Sequence, residues 1–331
     1  MPKMASHAAA RARHAPDRNL YRTLAYLADP EKPAPPAVQR TADCAALTEL
    51  AKAHGVDAIL WRKLGGGYDG PGGQDMLYRI AQAMLLERLR HEITAALASG
   101  GTRASVVKGP VFADRLYAMH GDRLFTDIDL LVEESAMGAA IGTMRELGYV
   151  RADGRQDGQR RSMEYKFTHP AHAHVLIELH GDMVHYPLLR RRASFGRREL
   201  LRAGDGDGET GGALLATAIV HATLGHKFER LAMLVDVLQA ARRLPPADHR
   251  RFADTLSAMR LDLECAVCLG VTAALFEDAT CADLASLFRK NLKDRIGAWL
   301  ITPQAVIAAG EKSTNTSWLR RKSFRLMQYL P

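Results

Sequence analysis

The sequence predicts an α+β fold in which a small mixed β-sheet lies between N- and C-terminal helical regions. Three observations lead there. The first hundred residues place apolar side chains at helical spacing, residues 100–200 alternate short apolar strands with helices, and the helical pattern returns from about Leu214. The boundaries drawn from these shifts are a disordered basic tail at 1–18, a helical region at 19–99, an α/β core at 100–200 and a second helical region at 201–331.

The elements follow in order. The tail, "MPKMASHAAARARHAPDR", is basic and Ala-rich and lacks the apolar run of a secretory signal. "NLYRTLAYLADP" reads as a short helix stopped by the Pro-rich linker "PEKPAPPAVQR". "DCAALTELAKAHGVDAILWRKLGGG" keeps helical spacing up to its glycines. A Gly-rich turn, "GGGYDGPGGQ", then leads into a long amphipathic helix from about Met76 to Ser99. At Gly100 the period changes. "ASVVKG" is a strand, "PVFADRLYAMHG" a helix, "LFTDIDLLV" a strand, "SAMGAAIGTMRELGY" a helix, and "EYKFTHP" and "HVLIELHGDMV" two more strands. Beyond them, "ALLATAIVHATLGHKFERLAMLVDVLQAARRL" is the clearest helical segment.

Composition narrows the function classes. A chain of 331 residues with 47% hydrophobic and 25% charged residues has ample material for a core. Net charge is +8 and the pI about 9.4, which favours acidic partners such as nucleotides, nucleic acid or phosphorylated substrates. Aromatics make up only 6%, and no basic patch is interleaved with them in the manner that stacks single-stranded bases. Four cysteines are too few for a disulfide framework, and the CxxC of Cys265 and Cys268 sits in an apolar helical run, so buried thiols are expected. No apolar run reaches membrane-spanning length. A cytoplasmic protein with no membrane partner is expected.

Three features carry chemistry. In "LFTDIDLLV", Asp127 and Asp129 share one face of a strand, where like charges repel and are costly to bury, so a cation is expected between them. A Mg²⁺ ion on both carboxylates and on the phosphates of a nucleoside triphosphate would meet that need. The other reading pairs one aspartate with Arg123 and uses the second to cap a turn. In "VVKGPVF", a strand ends at Lys108-Gly109 and a helix begins at Pro110, whose exposed amides make a phosphate site. Gly109 allows close backbone approach and Lys108 supplies a point charge. In "HVLIELHGDM", Glu178 and His180 share a strand face. If that strand lies beside the first, Glu178 becomes a third carboxylate for the same cluster, within reach of an attacking hydroxyl proton. Otherwise it is a solvent-facing charge, and His180 either orients it, touches substrate or is structural.

Taken in order, a strand-Lys-Gly-helix, a DxD strand some eighteen residues later and an ELH strand about fifty beyond resemble the polymerase-β-like nucleotidyltransferase superfamily. The likeness is closer to its uncharacterised nucleotidyltransferase family, whose members read roughly "LKG…LY…R…DIDLLV…GY…ELHW". Here those elements stand as "VKGPVFADRLY", "RLFTDIDLLV", "ELGY" and "IELHGD", with "LAKAHGVDAILWRKL" upstream and "HATLGHKFERLAMLVDVL", ending near Asp236, downstream. Two departures stand out. Lys108-Gly109 replaces the superfamily's usual Gly-Ser, and Gly181 stands where the family often has tryptophan.

The resemblance implies a polymerase-β-like core, Asp127 and Asp129 as metal ligands, and Glu178 as third carboxylate and candidate base. Lys108, Gly109 and Arg123 would hold the triphosphate, with an ion-pair role as the other reading for Lys108 and Arg123. His180, Lys227 and Arg230 are candidate substrate contacts, the last two from their i, i+3 spacing on a helix. His221 and His226, five apart, would stand about 140° apart on an ideal helix, a poor spacing for one metal. The expected activity is transfer of a nucleoside monophosphate from an NTP co-substrate, ATP by default, to an acceptor, with Mg²⁺ or Mn²⁺ as cofactor and release of pyrophosphate. The acceptor is left open among small molecules, peptides or proteins and tRNA, and so is the oligomeric state. The alternatives are glycosyl or phosphoryl transfer from an activated donor, and a non-catalytic nucleotide-binding module.

Overall fold

The computed structural model describes residues 18–34, 44–66, 72–152, 163–288, 291–310 and 315–330. Residues 1–17 of the expected basic tail, most of the Pro-rich linker and the middle of the Gly-rich turn lie outside these residues, while Arg18, the tail's expected last residue, opens a helix. The mixed α/β fold expected from the sequence is present. One five-stranded sheet runs in the order β1-β2-β5-β4-β3, with β1 Ala104–Val107, β2 Asp127–Val132, β3 Val150–Arg151, β4 Glu164–His169 and β5 His172–His180. Among the described residues only the β2-β5 pair is parallel.

The N-terminal helices are α1 Arg18–Ala28, α2 Cys44–His54, α3 Asp57–Lys63 and α4 Gly73–Ser99. Within the core, α5 (Gly109–Leu116) joins β1 to β2 and α6 (Met137–Glu146) follows β2. After the sheet come α7 Pro187–Arg190, α8 Arg197–Ala203, α9 Gly211–Val220, α10 Leu231–Arg243, α11 His249–Ala258, α12 Asp262–Phe276, α13 Ala279–Leu287, α14 Leu292–Leu300, α15 Pro303–Ile307 and α16 Asn315–Tyr329. The short β3 escaped the sequence pattern because two residues, one exposed, leave no alternation to read. Helices and sheet share one hydrophobic core that runs from Tyr21 to Phe324. None of the helices among the described residues is long and apolar enough to cross a membrane.

The segment 213–244 is not the single helix its periodicity suggests. α9 ends in one π-helical turn, His221–Gly225, and the chain then passes through Lys227 and Phe228 with φ of 52° and 59° before α10 begins. The Thr223 hydroxyl donates back to the Ile219 carbonyl at 2.7 Å, a contact that bends helices. Phe228 turns inward onto Phe324 of α16. Arg325 of α16 donates to the carbonyls of Thr223 and Leu224, which the break leaves without regular helical partners.

Buried ion pairs and caps hold the helices to the sheet. Arg123, just before β2, makes a bidentate pair with Asp236 of α10 (Nε–Oδ1 2.8 Å, Nη2–Oδ2 3.0 Å), and the Tyr117 hydroxyl donates to Asp236 at 2.7 Å. His54 accepts at Nδ1 from the first amide of α10 (3.1 Å), so its Nε2–H donates to the Ile307 carbonyl at 2.7 Å. Arg242 bridges Asp29 and Asp278. Cys265, Cys268 and Cys281 are buried, and burial pushes their thiols up.

Removing Arg123 leaves Asp236 charged in the interior without a counter-ion. Arg123→Ala is therefore expected to lower stability by about 3–5 kcal/mol in urea unfolding, and Arg123→Ala combined with Asp236→Leu by clearly less.

Candidate functional site

The site is built on one sheet face by register. β2 and β5 run parallel with Asp129 opposite Glu178 and Leu131 opposite His180, so the acidic pair and the ELH residues face the same side. On the other flank of β2, Val107 is paired with Asp129. The chain leaves β1 at Lys108 with φ 60° and ψ −145°, a conformation that favours glycine. That turn swings the Lys108 side chain inward, and Nζ lies 2.7 Å from Asp129 Oδ1. Gly109 (φ 29°) has no room for a side chain without pressing on the Asp127 carbonyl, 3.3 Å from where a Cβ would be. With Pro110 next to it, it opens α5, whose first turn no side chain caps.

A row of alternating charges crosses the sheet. Asp129 Oδ1 also meets His180 Nε2 at 2.8 Å, and the same nitrogen lies 3.3 Å from Glu178 Oε2. Glu178 Oε1 accepts from Lys166 Nζ at 2.6 Å, and Lys166 reaches Glu164 at 2.9 Å. His185, after β5, has Nδ1 3.4 Å from Glu164 and stacks edge-on against His180. Asp129, Glu178 and His180 bring their donor atoms within 4.8 Å of one another. Asp127 stands beside them, and its carboxylate accepts no hydrogen bond among the described residues.

The electrostatics separate these acids. Burial opposes a charge on Asp129, yet Lys108 and His180 outweigh it and hold the carboxyl well below the usual carboxylate range. Burial likewise opposes Glu178, but hydrogen bonds from His180 and Lys166 draw it down to about 2. For Asp127, burial and the neighbouring Asp129 charge push it up to about 6, against a weaker pull from Lys108. Burial lowers His180, but its contacts with Asp129 and Glu178 prevail and raise it. His185 is pushed down to about 4 by burial and by His180.

The other residues singled out by sequence lie elsewhere. Arg123 is in its ion-pair role, although with Asp236 rather than with the DxD pair, and it spends Nη1 on the Leu124 carbonyl as well. Lys227 and Arg230 are not on a helix face, because the break after the π turn puts them in the loop before α10; Arg230 is exposed. The same turn overrides the ideal-helix spacing of His221 and His226, since a residue five along lies over the first, and their rings meet edge-on at 4.7 Å. His221 is pushed well below its usual range by burial and by the Lys108 charge. Gly181 points away from the charged row: a Cβ there would meet Met163 Cε at 2.9 Å. Its neighbour in chain, Asp182, instead turns its carboxylate to the amides of Val184 and Phe195.

Lys166, Glu164 and His185 escaped the sequence reading. The short link Pro170-Ala171 between two strand patterns signals a hairpin, and that hairpin places Lys166 opposite Glu178. Nothing in the sequence marks the return of His185.

Asp127 ionises at a cost to the fold that is absent below about pH 4 and complete above about pH 6. Asp127→Asn is therefore expected to raise metal-free stability at pH 7 by about 1–3 kcal/mol, and the gain is expected to vanish at pH 4. Glu178 has the opposite sign: its contribution is full above about pH 4.5 and is lost as pH falls toward 2. Urea midpoints of the wild type, Asp127→Asn and Glu178→Gln across pH 3–8 check both.

The model of a family described as uncharacterised nucleotidyltransferase matches residues 40–277, which include every strand and every residue of the charged row. No curated protein and no solved structure matches the chain. With well over half of its length matched and its acidic pair, third carboxylate and Lys-Gly turn gathered on one sheet face, the chain belongs to the uncharacterised nucleotidyltransferase family.

Proposed function

We propose that the protein transfers a nucleoside monophosphate from an NTP to an acceptor hydroxyl or phosphate with a divalent metal, releasing pyrophosphate. The observation that supports this most is the parallel register of Asp129 with Glu178, which aligns buried carboxylates from strands far apart in sequence beside the under-neutralised Asp127. The donors fit a hard cation: they are carboxylate oxygens, and Asp127 accepts no hydrogen bond among the described residues. Asp127, Asp129 and Glu178 would hold Mg²⁺, or Mn²⁺ in its place, and the bound ion would supply charge neutralisation at the phosphates.

The chain's own groups do the rest. The amides at the start of α5 and the bare backbone of Gly109 cradle a phosphate, and Lys108 offers it a charge by exchanging Asp129 for a phosphate oxygen. The strained Lys108 backbone aims that side chain. His180 fixes Asp129 and Glu178 relative to each other with a single N–H. Glu178, drawn to about 2, is a poor proton acceptor and serves as the third carboxylate rather than as the base. Arg123 positions β2 through Asp236. Lys227 and Arg230, in the loop that follows His221, are assigned to acceptor contact. ATP is taken as the donor on cellular abundance, and the reaction is placed in the cytoplasm.

A second reading has its own observation. Lys108, His180 and Lys166 already neutralise Asp129 and Glu178, as a non-catalytic nucleotide-binding module would require. Calorimetric titration of ATP, GTP, CTP and UTP, with and without Mg²⁺, separates the two. Metal-dependent binding of at least one nucleotide is expected, weakened about tenfold or more in Asp127→Ala/Asp129→Ala, a loss of about 1.4 kcal/mol. Binding that ignores metal and mutation supports the module instead. Product mass distinguishes nucleotidyl from glycosyl or phosphoryl transfer.

Lys108 also allows a stability test of backbone strain. With both variants lacking the ammonium, Lys108→Gly is expected to be about 1–3 kcal/mol more stable than Lys108→Ala, read from chemical denaturation.

A further inference from the structure

The outer half of the same sheet face carries a second donor set that shares His180 with the carboxylate cluster and adds Glu164 and His185, which the nucleotidyl-transfer reading does not use. Glu164 opens β4 directly opposite His180, and His185 returns toward both from the chain after β5. Donor atoms of Glu164, His180 and His185 lie within 4.8 Å of one another. His185 Nδ1 is 3.4 Å from Glu164 Oε2. Two ligands on a tetrahedral zinc ion stand about 3.3 Å apart, given bonds of about 2.0–2.1 Å.

We propose that Glu164 Oε2, His180 Nδ1 and His185 Nδ1 form a zinc site separate from the carboxylate cluster, with water as the fourth ligand. Three observations carry it. His180 is 2% exposed, and its Nδ1 has no hydrogen-bond partner among the described residues, an orphan that a buried polar atom rarely is. Its other nitrogen meets Asp129 Oδ1 at 2.8 Å, the outer-shell carboxylate contact that fixes a metal-ligating imidazole and leaves its second nitrogen for the ion. Glu164 is supported in the same way, because Lys166 holds Oε1 at 2.9 Å while Oε2 faces His185. The His185 side chain, 36% exposed, leaves a route for the ion and its water. Two imidazoles and one carboxylate suit Zn²⁺, whereas Mg²⁺ keeps to oxygen donors. The ion would fasten the chain after β5 to the sheet and lock the His180 ring on Asp129 and Glu178.

The test uses the full chain, stripped with a chelator and kept in millimolar Mg²⁺ so that the carboxylate cluster is occupied. Zn²⁺ is titrated by calorimetry and Co²⁺ by visible absorption. One Zn²⁺ per chain is expected, together with the intense visible bands of four-coordinate Co²⁺. Affinity is expected to fall about tenfold or more in both His185→Ala and Glu164→Gln. It is expected to be unchanged in Asp127→Asn, which touches only the other cluster. Circular dichroism confirms that each variant is folded. Absence of stoichiometric binding overturns the site. So does binding that His185→Ala and Glu164→Gln both retain, or binding that is lost in Asp127→Asn. None of these outcomes depends on nucleotide binding, so the zinc site and the transfer reaction stand or fall separately.

Discussion

A carboxylate that is 2% exposed in the middle of a sheet has to be compensated on every side, and Asp129 is such a group. Lys108 approaches from β1, His180 from β5, and each is in turn fixed by something else: Lys108 by a backbone turn that favours glycine, His180 by Glu178. Glu178 then needs Lys166, and Lys166 leans on Glu164. The charges form a chain in which removing one member leaves the next uncompensated. Only Asp127 stands outside it, and that exception is where an added cation gains most.

The fold was largely legible because its signals were local. Period-two and period-3.6 patterns placed the four longer strands and the helices up to α6, whereas beyond the sheet they marked only the α9–α10 stretch and α12 within a region read as helical at large, and the alternation of Glu178 and His180 gave the face they share. The alignment of Asp129 with Glu178 was legible only as a condition, since no local pattern states which strands become neighbours. Lys166 was hidden for the same reason, although the hairpin link before β5 contained the information. Arg123 shows the opposite limit. Its nearness in sequence to the acidic pair suggested a phosphate or an aspartate of that pair as partner, while the actual partner, Asp236, comes from a helix more than a hundred residues away.

The break between α9 and α10 is a case where a tertiary demand overrode a strong periodic signal. The residues from Ala213 to Leu244 are helix formers with apolar spacing, and Gly225 is the one local hint of interruption. Burying Phe228 against Phe324 and supplying Arg325 to the freed carbonyls outweighs the regular hydrogen bonds that a continuous helix would keep.

The bonds of the first helices have a consequence in time. Lys32 donates to the carbonyl of Phe276, Asp29 accepts from Arg242, and His54 reaches Ile307, at sequence separations of 244, 213 and 253 residues. A chain emerging from the ribosome therefore makes its first helices long before it makes the groups they dock on. Their apolar faces must wait, exposed or covered by other means, until more than two hundred further residues have been synthesised. The segment that completes them includes Ile307, beyond the stretch shared with the family, which makes that later stretch a finishing piece of the fold rather than an appendage.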